Sequence, residues 1–300
     1  MSAWLQSIEG TETGALVALC LALFAAVLHA IFGALQKGRH DPLLARGAID
    51  ASYAAFAAPF AFFVVPWPEP HMWASFAGAW VILTGYKLVA VQSYRRGAYT
   101  LVYPVMRGTG PLFAVRGAAL FLGESFNAVQ WLGLGVLLAG LYGLAAVNLA
   151  QAPGDRAQLL PALGLAVLTG LFVAVYTTYD AYGIRATADP FTFLAWFFFL
   201  DGLVFPVLAL RFRASQAEPQ PWGPLALRGV VGGAVALLSF GAIMLATRLD
   251  QVGEAAVLRE TSTIFAALIG WAVLGERVGP ARVALMGLIA AGAVIVEVGG

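Results

Sequence analysis

Two arginines stand inside apolar runs that otherwise suit lipid, and any chemistry of this chain starts from them. Arg107 lies in YPVMRGTGPLFAVRG and Arg259 in VLRETSTIFAAL. An intramembrane charge costs roughly 2.5–3.5 kcal/mol on insertion scales, so such a side chain is kept where something polar meets it. Two readings stand for Arg107: it lines a polar cavity, or it is a structural arginine tied to carbonyls or a carboxylate. Its helical face holds Tyr103, Pro104 and Pro111 as well. The prolines withdraw backbone hydrogen bonds and leave carbonyls to be met by water, side chains or ligand. A guanidinium grips a carboxylate or phosphonate through a planar fork. Cavity-facing Arg107 and Arg259, with Lys87, would therefore meet an anionic group. Thr109 and Thr261 add hydroxyls at matching positions, and Tyr103, Tyr86, Trp80 and Tyr176 are the aromatics placed to pack on its body.

A second set of residues could carry a proton. Buried carboxylates can titrate near neutral pH, which makes Glu260, Asp180 and Asp201, with His29, the proton-coupling candidates. Asp201 sits mid-span, either protonated and hydrogen-bonded or paired with a cation such as Arg259. Glu260 points about 100° away from its neighbour Arg259 on a helix. It serves a ligand or pairs with an arginine on another helix. Lys87 lies about 10 Å by helix rise from the Arg95-Arg96 end, so it snorkels or lines a cavity. His29 is a lone histidine, a packing residue unless it faces the same cavity. Arg116 is nine positions past Arg107, half a turn round, and reads as structural. Arg46 and Asp50 form a plain i, i+4 pair, and Glu124 and Glu276 read as caps or loop contacts. The single cysteine excludes an intrachain disulfide, and the three histidines lack metal-ligand spacing. No P-loop, Gly-x-Ser-x-Gly or His-Glu-x-x-His is present, and a net charge of +1 leaves no footprint for nucleic acid. The chain reads as no enzyme, needing neither metal nor cofactor.

The elements that position these residues follow from composition. Of 300 residues 61% are hydrophobic and 11% charged, against about 25% charged in soluble domains. Apolar runs of spanning length recur, near 14–36, 43–66, 72–94, 98–122, 127–149, 159–182, 190–211, 224–248, 253–275 and 279–298. Breakers mark the seams, among them Asp41-Pro42, Pro66/Pro68/Pro70, Pro153-Gly154, Asp189-Pro190, Pro219/Pro221 and Gly279-Pro280. Backbone groups in lipid must be satisfied within each segment, which makes the spans helices. Glu9 and Glu12 without any Lys or Arg in the first thirteen residues are the opposite of a signal-peptide n-region.

The two arginine runs are copies. A shift of 152 carries Arg96 to Arg248, Val105 to Val257, Arg107 to Arg259, Thr109 to Thr261, and Leu122-Gly123-Glu124 to Leu274-Gly275-Glu276. Earlier in each half a shift of 148 carries Phe24 to Phe172, His29 to Thr177, Lys37 to Arg185 and Asp41-Pro42 to Asp189-Pro190. The chain thus reads as residues 1–150 duplicated in 151–300, five helices each. Five is odd, so the second copy enters from the opposite side. The fold class is all-α integral membrane, ten transmembrane helices as two five-helix inverted-topology repeats, with a site near the midplane between them. Small residues in spans five and ten (Gly133, Gly135, Ala139, Gly140, Gly143; Gly287, Ala291, Gly292) fit close helix packing within a monomer or, less simply, a weak homodimer.

The pair Tyr103-Pro104…Arg107…Leu122-Gly123-Glu124 and Arg259…Leu274-Gly275-Glu276 resembles the EamA branch of the drug/metabolite transporter superfamily. So do His29-Ala30…Lys37 and Tyr176-Thr177…Asp180…Gly183…Arg185. Related sequences often carry Trp-Asn one residue after His-Ala, where this chain has Phe32-Gly33. Their substrate preferences are therefore not transferred. The resemblance implies a secondary transporter in the cell membrane working by alternating access, and the arginines make its expected cargo a small polar metabolite with an anionic group. The alternative is a membrane-embedded enzyme or lipid-handling protein using the same cavity. Counting Lys and Arg by side gives eleven on the side of the 1–2, 3–4, 5–6, 7–8 and 9–10 loops, including Lys37, Arg39, Arg228 and Arg277. The side of the termini has two, Arg185 and Arg248. The positive-inside rule then places both termini outside.

Overall fold

The computed structural model describes residues 2–36, 40–96, 99–151, 156–216, 221–274 and 279–300. Lys37, Arg39, Pro153-Gly154, Pro219, Gly275-Glu276 and Arg277 lie outside the described residues. The described chain is helical without a strand. Its helices are α1 (Ser2–Ile8), α2 (Glu12–Gln36), α3 (Pro42–Phe63), α4 (Met72–Arg96), α5 (Tyr99–Phe121), α6 (Ala128–Gln151) and α7 (Arg156–Arg185) in the first part. The second has α8 (Pro190–Asp201), α9 (Val204–Ala214), α10 (Trp222–Leu249), α11 (Val252–Arg259), α12 (Ser262–Leu274) and α13 (Pro280–Val298).

Among the described residues, seven segments are long and apolar enough to cross a membrane. The Arg46/Asp50 and Arg107/Arg116 pairs lower the hydropathy of α3 and α5, while α11 and α12 are each short. Phe63, Leu120 and Phe121 are 87%, 79% and 77% exposed, an apolar exterior of the kind that lipid covers and water does not tolerate in large patches. The protein is an all-α, multi-pass membrane protein.

Local chemistry repeats with the sequence. Asp41 and Asp189 both cap a helix that begins with proline, accepting from the Leu43 amide at 2.8 Å and the Phe191 amide at 3.1 Å. Helix contacts exchange between the halves in the same way. α4 packs on α7 as α10 packs on α2; α5 packs on α7 as α11 and α12 pack on α2. α3 meets α8 and α9, α5 meets α11, and α6 meets α13, each helix with its own image.

The α6–α13 seam shows why its small residues are small. A Cβ on Gly140 would stand 2.7 Å from the Leu285 carbonyl, and one on Gly292 would stand 2.6 Å from the Gly133 carbonyl. Those are the same contact seen from each half. Gly135 and Gly287 meet nothing within 4 Å, and Ala139 and Ala291 are exposed, so these four belong to the outer face rather than the seam.

Two of the expected spans are each two helices. The span near 190–211 breaks at Gly202–Leu203, where a Cβ on Gly202 would meet the Asp50 carbonyl at 2.7 Å. Pro206, in the first turn of α9, has no amide to continue a ladder through the break. The span near 253–275 breaks at Glu260–Thr261. There the Arg259 carbonyl accepts from Arg107 Nη2 at 3.2 Å and the Thr261 hydroxyl donates back to the Leu258 carbonyl. Interrupted helices at membrane depth are tolerated where side chains or a cavity take up the freed groups.

Candidate functional site: a cationic central cavity

Repetition brings equivalent residues into direct contact at the centre. Arg107 and the Arg259 carbonyl, 152 positions apart, are hydrogen-bonded. The Tyr53 hydroxyl donates to Asp201, 148 positions away. Beside these contacts lies a cavity of about 290 Å³ between α2, α3, α4, α5, α7 and α10. Its outer wall carries His40, Arg46, Tyr94 and Arg228; its inner end carries His29, Tyr86, Tyr103, Arg107 and Tyr176. The outer residues sit at one end of the bundle, by the start of α3, the end of α4 and the start of α10. Four cations line it, Arg46, Lys87, Arg107 and Arg228, and no Asp or Glu stands among the described lining residues.

The acids that balance three of these cations sit behind the wall. Arg107 Nε lies 2.7 Å from Glu260, whose side chain is 1% exposed. Its Nη2 also donates to Ser262 at 3.2 Å, Nη1 lies 3.5 Å from His29 Nε2, and the guanidinium rests over the Tyr103 ring. Lys87 Nζ donates to Asp50 at 2.7 Å, to both Asp201 oxygens at 2.8 Å and to Tyr53 at 2.9 Å. Arg46 Nε closes that cluster on Asp50 at 2.6 Å. Arg46, Lys87 and Arg107 are thus each fixed from behind by an acid, while Arg228 makes no ion pair among the described residues.

The structure chooses between the open readings of Lys87, Asp201 and Glu260 and corrects other expectations. Lys87 does not snorkel: it is 2% exposed and held by two carboxylates. Asp201 pairs with Lys87, not with Arg259, because the break after α8 presents its carboxylate to α4. Arg46–Asp50 is more than a plain surface pair, since Asp50 is also bound to Lys87. Glu260 is the inter-helix partner of Arg107. Arg259 does not line the central cavity; it lies on a smaller pocket with Thr177 and Asp180. Thr109 is spent at the α5–α7 crossing, where it donates to the Val105 carbonyl and a Cβ on Gly170 would approach it to 2.5 Å. Thr261 bonds within the α11 end. Trp80 is 41% exposed and lines a different, minor pocket. Tyr103, Tyr86, Tyr176, Lys87, Arg107 and His29 are brought together as expected.

Arg116 lies over the Trp131 ring on the outside of α5, a structural placement. Glu124 is a cap: it accepts from the Val252 and Gly253 amides at 3.0 and 3.3 Å and pairs with Arg185 at 2.9 Å. This closes the end of the bundle opposite the cavity mouth. Arg228, His40 and Tyr94 were missed as cavity residues. The signal available for Arg228 was a lone arginine six residues into a helix, which charge counting had assigned to a loop side.

Interrupted helices surround a polar cavity that opens at one end. The family model of the EamA-like transporter family matches residues 160–298, in the second half of the chain, and this match supports an EamA-type transporter of the drug/metabolite transporter superfamily. A solved crystal structure superposes with a TM-score of 0.75 at 19% identity, covering 94% of this chain and 96% of its own. At that identity it speaks to the fold alone. No curated protein matches the chain.

Proposed function

We propose that the chain is a secondary transporter of a small anionic metabolite. It works by alternating access in ten spans arranged as two inverted five-helix repeats in the cell membrane. The carrying observation is the wall of the central cavity, with four cations facing it and no acid among the described lining residues. Electrostatic attraction in such a cleft raises the local concentration of anions, and arginine donors bind carboxylate or phosphate by charge-assisted bonds. The exchange of helix contacts between halves supports the inverted repeat. A cavity mouth at one end and the Glu124–Arg185 closure at the other support a one-sided access state rather than an enzyme or lipid-handling cleft. The buried α6–α13 seam supports a monomer.

The test is a thermal-shift panel of small carboxylates, phosphates and phosphonates against neutral and cationic controls. A ligand at 100 times its Kd adds about 2.7 kcal/mol to stability. The expected result is stabilisation by one anion class, weakened in Arg228→Gln, whose guanidinium makes no ion pair among the described residues and whose loss leaves the unliganded melting temperature unchanged. Stabilisation by cations alone would overturn the reading. The charge count puts the termini outside and the open cavity mouth toward the cytoplasm; a C-terminal reporter active only in the cytoplasm stays dark if this orientation holds.

A further inference from the structure

A second polar pocket lies between α7, α10 and α11, lined by Thr177, Asp180, Thr247 and Arg259 with Phe240 and Met244. Tyr176 is its common wall with the central cavity, and the Tyr86, Tyr176 and Phe240 rings form a layer between the two, with centroids 5.0 and 5.7 Å apart. At about 10 Å³ it has room for about one water centre. Three polar atoms on residues at least nine-tenths buried lack a hydrogen-bond partner here: Thr177 Oγ1, Asp180 Oδ1 and Arg259 Nε. Buried polar atoms are nearly always satisfied, so three orphans on one small cavity mark a place where something binds.

The other buried acids are accounted for. Asp50 has Arg46 and Lys87, Asp201 has Lys87, Glu260 has Arg107, and Glu254 accepts from Gln130. Asp180 has no ion pair within 4.0 Å among the described residues, although Arg259 lies on the same pocket. The repeat explains the gap. Arg259 is the image of Arg107, but Glu260, which follows Arg259, has as its image Gly108. Arg107 has taken the one glutamate, and Arg259 is left facing Asp180, whose own image is Phe32. Around Asp180, α11 presents Arg259 and α8 presents Asp201, already bound by Lys87 of α4. α7 itself adds Tyr176 and Tyr179, and α10 adds the Thr247 hydroxyl but no titratable group. A metal cation is disfavoured beside the guanidinium; a proton is not.

We propose that Asp180 is the proton-binding site of this transporter. A hydronium in the pocket gives its proton to the carboxylate and leaves water, and the neutral acid faces the Thr177 hydroxyl. The reverse step returns the proton to water and leaves a carboxylate for Arg259 to pair with. The inference rests on the transporter reading and adds its coupling ion, placed across the aromatic layer from the anion cavity.

The experiment is an infrared pH titration of the full chain in lipid nanodiscs, with no substrate added. The expected result is a protonated-carboxyl C=O band that grows on acidification, is lost in Asp180→Asn, and returns displaced in Asp180→Glu. Thr177→Val, which removes the neighbouring hydroxyl, shifts the band without abolishing it. If Asp180→Asn does not fold, as judged by its melting temperature, the Glu and Val variants decide. A wild type without the band, a band that survives Asp180→Asn, or a band indifferent to both Asp180→Glu and Thr177→Val would each overturn the proposal. A failed titration leaves the anion-binding result standing, and a failed anion panel leaves the titration standing, so the two readings are separable.

Discussion

Replacing Arg107 by glutamine separates its two roles. Arg107 is 6% exposed and its partner Glu260 is 0% exposed, with 2.7 Å between them. Removing one member of a buried ion pair strands the other charge and costs about 3–5 kcal/mol. Glutamine can return one hydrogen bond to the carboxylate, which places Arg107→Gln near the lower end, about 3 kcal/mol. At about 2–4 °C per kcal/mol for a large domain, the melting temperature falls by about 6–12 °C. The double variant Arg107→Gln/Glu260→Gln replaces a stranded charge by two neutral amides and recovers most of that loss. Anion binding does not follow stability. The guanidinium is the donor at the inner end of the cavity, and losing a charged hydrogen bond costs about 1.5–3 kcal/mol, or about 10- to 150-fold in affinity. That loss persists in the double variant. The measurement is paired, melting temperature and anion affinity on the same four samples of the mutant cycle. An unchanged melting temperature in Arg107→Gln would refute the dependence of Glu260 on it. Anion affinity restored in the double variant would refute a direct contact between Arg107 and the anion.

Lys87→Met strands Asp201, while Asp50 keeps Arg46, and lowers stability by about 3–5 kcal/mol; adding Asp201→Asn recovers part of it, read by thermal unfolding in detergent. Asp189→Ala removes the cap of α8 and costs about 1 kcal/mol. Burial pushes the Asp189 carboxyl up, but hydrogen bonds from Ser2, Thr192 and the Phe191 and Thr192 amides outweigh it and hold it below the usual carboxylate range. A depressed folded value means that this contribution is present above the unfolded value and is lost as pH falls through the folded one. The gap between wild type and Asp189→Ala therefore narrows on acidification, measured as melting temperature against pH.

Much of the architecture was legible because lipid leaves few choices. Apolar run length marked the helices, Asp-Pro pairs marked two seams where the structure shows caps making the same bond, and the 152-residue shift marked the pair whose side chain and carbonyl meet at the centre. The internal breaks were not legible. Neither Gly202 nor Thr261 is a strong helix stop by itself, and a group from another helix stands at each break, the Asp50 carbonyl in one case and Arg107 in the other. The site was half legible for a similar reason. Register says that Arg107 and Arg259 are equivalent positions, but not which of two pockets each one faces. Hydroxyl and aromatic types marked Thr109, Thr261 and Trp80 as polar or stacking partners, whereas a local carbonyl, a glycine crossing and the outer surface had claimed them.

Where the two halves disagree is more informative than where they match. A perfectly repeated centre would put an arginine with the same partner on each side of the axis. Here Gly108 stands where the other half has Glu260, and Phe32 stands where it has Asp180. Both acids of the pair therefore come from the second half, and both arginines are served by it: Glu260 binds Arg107 across the axis, while Asp180 shares a pocket with Arg259. The first half's image of that pocket is the large cavity, since His29, Phe32, Val91 and Arg107 line it and their images Thr177, Asp180, Ile243 and Arg259 line the small one. One geometry is thus present twice, once wide, cationic and free of acids among its described lining residues, once narrow and carrying a carboxylate. Under the two proposals above, the anion goes to the first by charge and the proton to the second by size and chemistry, and the broken symmetry at positions 32 and 108 is what distinguishes the two images.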